Sequence, residues 1–137
     1  MIKLTIIIPV YNEIKTFEKL LKKVVRLKFK KQIIVVDDCS TDGTRNILKK
    51  FIKKIDKIIF HNKNMGKGAS IKTAQKFIKG KYVVIQDADL EYSPTDLKIL
   101  LEKMEKNNHD VVYGSRFLNK NKFQNTKNFT HFIRIWA

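Results

Sequence analysis

Cysteine is almost absent from this chain: Cys39 stands alone among 137 residues. No internal disulfide can form, and a reducing compartment fits. Cys39 also has no histidine arranged with it as a thiol nucleophile would need. Long hydrophobic runs are missing too. None approaches the ~20 apolar residues that a helix needs to span a bilayer. The start, Met1-Ile2-Lys3-Leu4-Thr5-Ile6, runs directly into a strand pattern and lacks the layout of a secretory signal. The expectation is a soluble, cytoplasmic protein. His61, His109 and His131 have no metal-ligand spacing and read as surface or packed residues. No internal repeat or low-complexity linker is visible. Acidic residues are scarce, with 13 Asp and Glu against 29 Lys and Arg and a formal net charge of +16. That balance favours anionic partners such as nucleic acid, phosphorylated ligands or an anionic membrane face. Only Arg26, Arg45, Arg116 and Arg134 are arginines, and the lysines are scattered along helical segments, as on a solvated surface. No aromatic–basic stripe appears, so no nucleic-acid partner is expected.

What is present is an ordinary globular mix, 43% hydrophobic and 31% charged, long enough for one domain with a sizeable core. Leu4 to Val10 reads as a buried strand, broken at Pro9-Val10-Tyr11-Asn12-Glu13. Ile14, Phe17, Leu20, Leu21, Val24 and Val25 recur at helical spacing. Ile33 to Val36 is a second strand, ending in Asp37-Asp38-Cys39-Ser40. A helix with Ile47, Leu48, Phe51 and Ile52 inward follows the turn at Ser40 to Thr44. Lys57 to His61 is a short third strand. After a polar loop comes a helix with Ala74, Phe77 and Ile78 on its apolar side, stopped by Gly80. Tyr82 to Ile85 is the fourth strand. Ser93-Pro94-Thr95-Asp96 reads as a helix start, with Ser93 the cap and Pro94 the first helical residue. Leu97, Leu100, Leu101 and Met104 follow it. Asp110 to Tyr113 is a fifth strand. Strands alternating with helices predict an α/β fold, a Rossmann-like, mainly parallel sheet covered by helices on both faces.

In such sheets a ligand sits outside the carboxyl ends of the strands. The polar clusters fall there: Tyr11-Asn12-Glu13, Asp37-Asp38, Asn64 to Gly68, Asp87-Ala88-Asp89 and Arg116. The stretch from Tyr82 to Glu91 organises the rest, because its apolar run ends in carboxylates. In an extended segment Asp87 and Asp89 point to one side. Two converging carboxylates repel unless a cation neutralises them, and hard oxygen ligands suit Mg²⁺ or Mn²⁺, which can in turn hold nucleotide phosphates. Gly66-Lys67-Gly68-Ala69-Ser70 is not a P-loop, since the positions that need an upstream Gly and a Ser or Thr after Lys hold His61 and Gly68.

Taken together, Ile8-Pro9-Val10-Tyr11-Asn12-Glu13, Val35 to Thr44, Asn64-Met65-Gly66-Lys67-Gly68, Asp87-Ala88-Asp89 and Gly114-Ser115-Arg116 resemble a family 2 glycosyltransferase of GT-A fold. The resemblance covers residues 4 to 117 or so and is strongest to the branch of dolichyl- and polyprenyl-phosphate hexose transferases. It implies transfer of a hexose, with inversion, from a UDP- or GDP-linked sugar to a lipid-phosphate acceptor. It implies that Pro9, Tyr11 and Glu13 hold base and ribose, that Asp38 accepts a hydrogen bond from the base edge, and that Asp37 orients the loop. It places Lys67 on the donor, Asp87 on the ribose, Asp89 on the metal with Glu91 and Asp87 as further ligands, and Arg116 on a phosphate beside Asp89 in the catalytic group.

Members of the family continue well beyond the Gly-Ser-Arg segment. The expectation is therefore a nucleotide-sugar-binding domain over 1–118 and, over 119–137, a loop and the start of a truncated acceptor-side amphipathic segment able to touch a membrane peripherally. Two alternatives stay open: a nucleotide-sugar-binding fragment without turnover, and a transferase acting on a glycan hydroxyl.

Overall fold

A computed structural model describes residues 1–107, 109–114 and 131–135. Six strands form one sheet: β1 (Leu4–Val10), β2 (Lys31–Asp37), β3 (Lys57–Phe60), β4 (Tyr82–Ile85), β5 (Val111–Gly114) and β6 (His131–Ile135), in the order β3-β2-β1-β4-β6-β5. The first four strands are parallel, β1 pairing with both β2 and β4, and β2 with β3. The helices are α1 (Phe17–Arg26), α2 (Thr44–Phe51), α3 (Lys67–Gln75) and α4 (Asp96–Asn107). Among the described residues no helix is long and apolar enough to cross a membrane.

Strand β1 is buried along its whole length because it lies at the middle of the parallel part, with helices on both faces. Its alternation divides the core. Leu4, Ile6, Ile8 and Val10 join Phe17, Leu20, Leu21 and Val24 of α1, Ile47, Leu48 and Phe51 of α2, and Leu97, Leu101 and Met104 of α4. Ile7 faces the other way, with Ile34, Val36, Val83 and Ala74 of α3. Helices therefore cover both faces of a mainly parallel sheet, as the α/β pattern predicts.

The end of the sheet away from the strands' carboxyl termini is closed by a knot of polar groups. The Thr5 hydroxyl donates to Gln32 Oε1 at 2.8 Å, and Gln32 Nε2 donates to the Phe77 carbonyl at 2.9 Å. The Lys79 and Gly80 amides donate to Gln32 Oε1 and Thr5 Oγ1, both at 2.9 Å. This places Gly80 against β1 so closely that a Cβ there would lie 2.6 Å from the Thr5 nitrogen.

Four expectations change. Ile52 points outward, 62% exposed, because α2 ends at Phe51 and a 3₁₀ turn over Ile52–Lys54 rotates its side chain off the core face. Ile14 precedes α1 and is 46% exposed. Helix α4 begins at Asp96, because residues 93–97 make tight turns through the Ser93 and Pro94 carbonyls before the regular helix starts. The largest change is at His131–Ile135, expected as the opening of an amphipathic segment outside the domain. These residues form β6, antiparallel to both β4 (Val84 opposite Ile133) and β5 (Val112 opposite Ile133). A five-residue segment with apolar residues at 132, 133 and 135 is too short for its period to separate strand from helix. The unpaired outer edge of β4 decides the matter, since its amides and carbonyls need partners. Phe129, Trp136 and the loop from Asn119 to Lys122 lie outside the described residues.

Candidate active site

The carboxyl ends of the parallel strands open into a cleft of about 380 Å³. It is lined from the β1 end by Pro9, Val10, Tyr11 and Glu13, and from the β2 end by Asp38. Lys67 and Ser70 of α3 and Asp87, Ala88, Asp89, Glu91 and Tyr92 after β4 complete it. Each proposed site residue that falls among the described ones therefore reaches a single cleft. Arg116 lies outside the described residues, as does Ser115.

The loops after β1 and β2 are sewn to each other. The Asn12 amide donates to Ser40 Oγ at 3.0 Å, Asn12 Oδ1 accepts from the Thr41 amide at 2.8 Å, and the Glu13 amide donates to Thr44 Oγ1 at 3.0 Å. Asp42 accepts from the Ile14 amide at 2.9 Å and from both the amide and the hydroxyl of Thr44, at 2.9 and 2.6 Å. Burial pushes the Asp42 carboxyl up, but these donors outweigh it and hold the group below the usual carboxylate range. Asn12 takes a left-handed φ of 53°, a conformation Asn tolerates. The result is a fixed platform that presents Tyr11, 46% exposed, to the cleft. Glu13 is oriented by the Thr16 hydroxyl, which donates to its Oε2 at 2.7 Å.

Asp37 and Asp38, adjacent in sequence, have different surroundings. Asp37 is fully buried; its Oδ2 accepts from the Ser40 amide at 3.2 Å and from Arg45 Nε at 2.6 Å. Arg45 also donates from Nη2 to the His61 carbonyl at 3.1 Å, so Asp37 binds its own loop to α2 and to the end of β3. Asp38 Oδ1 accepts from the Met65 amide at 2.9 Å and meets His61 Nδ1 at 2.7 Å, while Oδ2 accepts from the Gly66 amide at 2.7 Å. Burial raises the Asp38 carboxyl, but the His61 ring and the Met65 and Gly66 amides outweigh that and leave it below its ordinary value. Gly66 reaches it at φ 86°, in the left-handed range where glycine is favoured.

The carboxylates after β4 converge by a different route from the extended alternation. The strand ends at Ile85, and residues 88–90 turn, with Leu90 at φ 67° and Asp89 Oδ1 accepting the Glu91 amide at 2.9 Å. Ala88 is buried by that turn, while Asp89 and Glu91 stay exposed to the cleft. Asp87 forms an ion pair with Lys67, across the cleft from α3. No group of three or more His, Cys, Asp or Glu side chains that could enclose a metal exists among the described residues. The acids present nonetheless fit Mg²⁺ or Mn²⁺. Magnesium takes one or two protein carboxylates and completes its shell with water and substrate phosphates, and Asp89 and Asp87 supply hard oxygens beside an open cleft.

His61 and Arg45 were not legible as site residues. His61 reads from the sequence as surface or packed; in the fold it is buried beneath Asp38, its Nε2 also 3.0 Å from Thr73 Oγ1. The available signal was the strand register. Parallel pairing sets Asp37 opposite Phe60, so the next step along each strand sets Asp38 beside His61.

The family profile described as Glycosyl transferase family 2 matches residues 5–136. A dolichyl-phosphate beta-glucosyltransferase of Trichomonas vaginalis is 33% identical over 85% of this chain and 40% of its own length. The structure of Staphylococcus aureus TarS 1–349 in complex with UDP superposes with a TM-score of 0.71 at 30% identity, over 80% of this chain and 34% of that one. The mannosyltransferase PcManGT of Pyrobaculum calidifontis, in complex with GDP-Man and Mn²⁺, gives 0.70 at 26% identity, over 80% of this chain and 34% of that one. The chain spans from 33% to 50% of the length of the first curated relatives it matches. With the profile covering nearly all of it and the sheet superposing on GT-A enzymes, the chain belongs to glycosyl transferase family 2.

Proposed function

We propose that this chain is the donor-binding part of an inverting hexosyltransferase that takes its sugar from a UDP- or GDP-linked donor and gives it to a polyprenyl phosphate at the cytoplasmic face of a membrane. The observation that carries the reading is the convergence of residues from four separate segments, 9–13, 38, 67–70 and 87–92, on one cleft that combines an aromatic face, a lysine and several carboxylates. That mixture suits a nucleoside diphosphate. Tyr11 offers a flat face to the base, Asp38 an acceptor to its N–H edge, and Glu13 and Asp87 acceptors to ribose hydroxyls. Lys67 is a point charge for the diphosphate, and Arg116 a bidentate donor for a phosphate.

Asp89, with Asp87 and Glu91, would hold Mg²⁺ or Mn²⁺. A divalent ion there supplies Lewis-acid stabilisation of the charge that builds on the departing diphosphate. The ion pair of Lys67 with Asp87 has to loosen as donor enters, since one ammonium cannot fully serve both partners. A lipid-phosphate acceptor is already anionic at neutral pH and needs little help from a base; a glycan hydroxyl would need one. The dolichyl-phosphate relatives support the lipid phosphate. A second reading is donor binding by this chain without turnover.

The test is calorimetry of the chain with UDP and GDP, with and without Mn²⁺, followed by transfer of labelled sugar to a polyprenyl phosphate. Metal-dependent nucleotide binding is expected. Binding of neither nucleotide defeats the reading, and binding without transfer decides for the second one.

A further inference from the structure

An ionised carboxylate offers four acceptor positions, two on each oxygen. On Asp38 three are filled: Oδ1 by the Met65 amide at 2.9 Å and His61 Nδ1 at 2.7 Å, and Oδ2 by the Gly66 amide at 2.7 Å. One position remains, on Oδ2. Asp38 is only 3% exposed and lines the cleft, so a further donor reaches it from there. The ring of His61 is itself 6% exposed and fixed on its other side, with Nε2 3.0 Å from Thr73 Oγ1. A carboxylate only accepts, so the Nδ1 facing it carries the proton; Nε2 then accepts from the Thr73 hydroxyl.

We propose that His61 is a specificity-determining positioning residue: by saturating Oδ1 of Asp38 it leaves one acceptor in the cleft and so selects uracil over guanine. The inference rests on the reading of the cleft as a nucleotide site. Uracil presents a single ring N–H between two carbonyl oxygens, and one free acceptor satisfies it. Guanine presents adjacent N1–H and N2–H₂ donors, which a carboxylate satisfies with both of its oxygens. Here the second donor would be desolvated against an oxygen that has no position left for it. Sites discriminate strongly when a buried polar group is left unpaired.

The test is calorimetry of the 137-residue chain with UDP and with GDP in the presence of Mn²⁺, for wild type, His61→Leu and His61→Asn. Wild type should bind UDP at least about tenfold tighter than GDP, the scale of one hydrogen bond left unmade. His61→Asn, whose amide can stand in for the Nδ1 donor, should keep that ratio. His61→Leu should bring the ratio towards unity, whereas a merely structural loss weakens both nucleotides alike. Nitrogen NMR of the ligand-free chain should show the His61 ring protonated at Nδ1, a readout that survives if the leucine variant does not fold. GDP binding as tight as UDP, an unchanged ratio in a folded His61→Leu, or a ring protonated at Nε2 alone would overturn the proposal. Wild type binding neither nucleotide would overturn the nucleotide site itself, so the two failures are distinct.

Discussion

Asp38 and Asp42 have the same chemistry and different duties, and acid should reveal both. Each carboxyl is held below its ordinary value in the folded chain. A group with a depressed folded pKa contributes stability that is complete above its unfolded value, about 3.9 for Asp, and is lost as pH falls through the folded value. Urea unfolding from about pH 6 to about pH 3 should therefore show stability declining at the acid end. Asp42→Asn should flatten that decline and cost about 1 kcal/mol at neutral pH, in line with a lost bond to backbone amides. Nucleotide affinity divides the acids differently. Asp38→Asn should weaken UDP by about one to two orders of magnitude, because a bond to a charged acceptor is worth roughly 1.5–3 kcal/mol. Asp89→Ala should abolish the Mn²⁺ dependence of UDP binding while thermal unfolding stays cooperative, since the side chain is exposed in the cleft. Equal UDP affinity with and without Asp89 would remove the metal assignment. At this scale the sequence was legible where a cleft residue sits just past the end of its own strand, as with Asp38 and Asp87. It was not legible where two strands make the contact together. Nothing local to His61 marks it as the partner of Asp38; only the register of β2 on β3 does.

Elements were legible where their period was long, as in α1, and ambiguous where it was short. Ile52 misled because the helical period continues in the sequence after the backbone has tightened to 3₁₀. His131–Ile135 misled because a strand's partners are remote in sequence, and no local pattern states that β4 needs one. Two substitutions test these elements. Gly80→Ala should cost about 3 kcal/mol, since the added methyl meets backbone of β1 at 2.6 Å, where little can move. Its readout is the urea midpoint, and wild-type stability would show that the close approach relaxes freely. Ile133→Pro removes the amide of a residue paired on both sides, to Val84 and to Val112. A proline in an inner strand should lower stability by about 3 kcal/mol and loosen β5 with it. An unaffected melting curve would show that β6 contributes nothing to the sheet.

For the whole molecule, a chain that ends at Leu118 would keep β5 yet lose its only strand neighbour in the described sheet. That shortened version should aggregate more readily than the full chain, with the bared edge of β4 as the sticky surface. Light scattering of the two is the measurement. The position of β6 also has a consequence in time. Sheet order places β6, the last of the described strands, between two made earlier, so during synthesis β5 has no strand to pair with in the described sheet until residues 131–135 have emerged. The β1–β2 pair joins residues 27 apart, such as Ile6 and Ile33, whereas β4 reaches β1 across 78 (Leu4 and Tyr82) and β6, which needs β4 in place, reaches it across a further 49 (Val84 and Ile133); non-local pairing is slow. Refolding should therefore run in two stages. In pulse-labelled hydrogen exchange the amides of β1 and β2 should gain protection first, and those of β5 and β6 together and last.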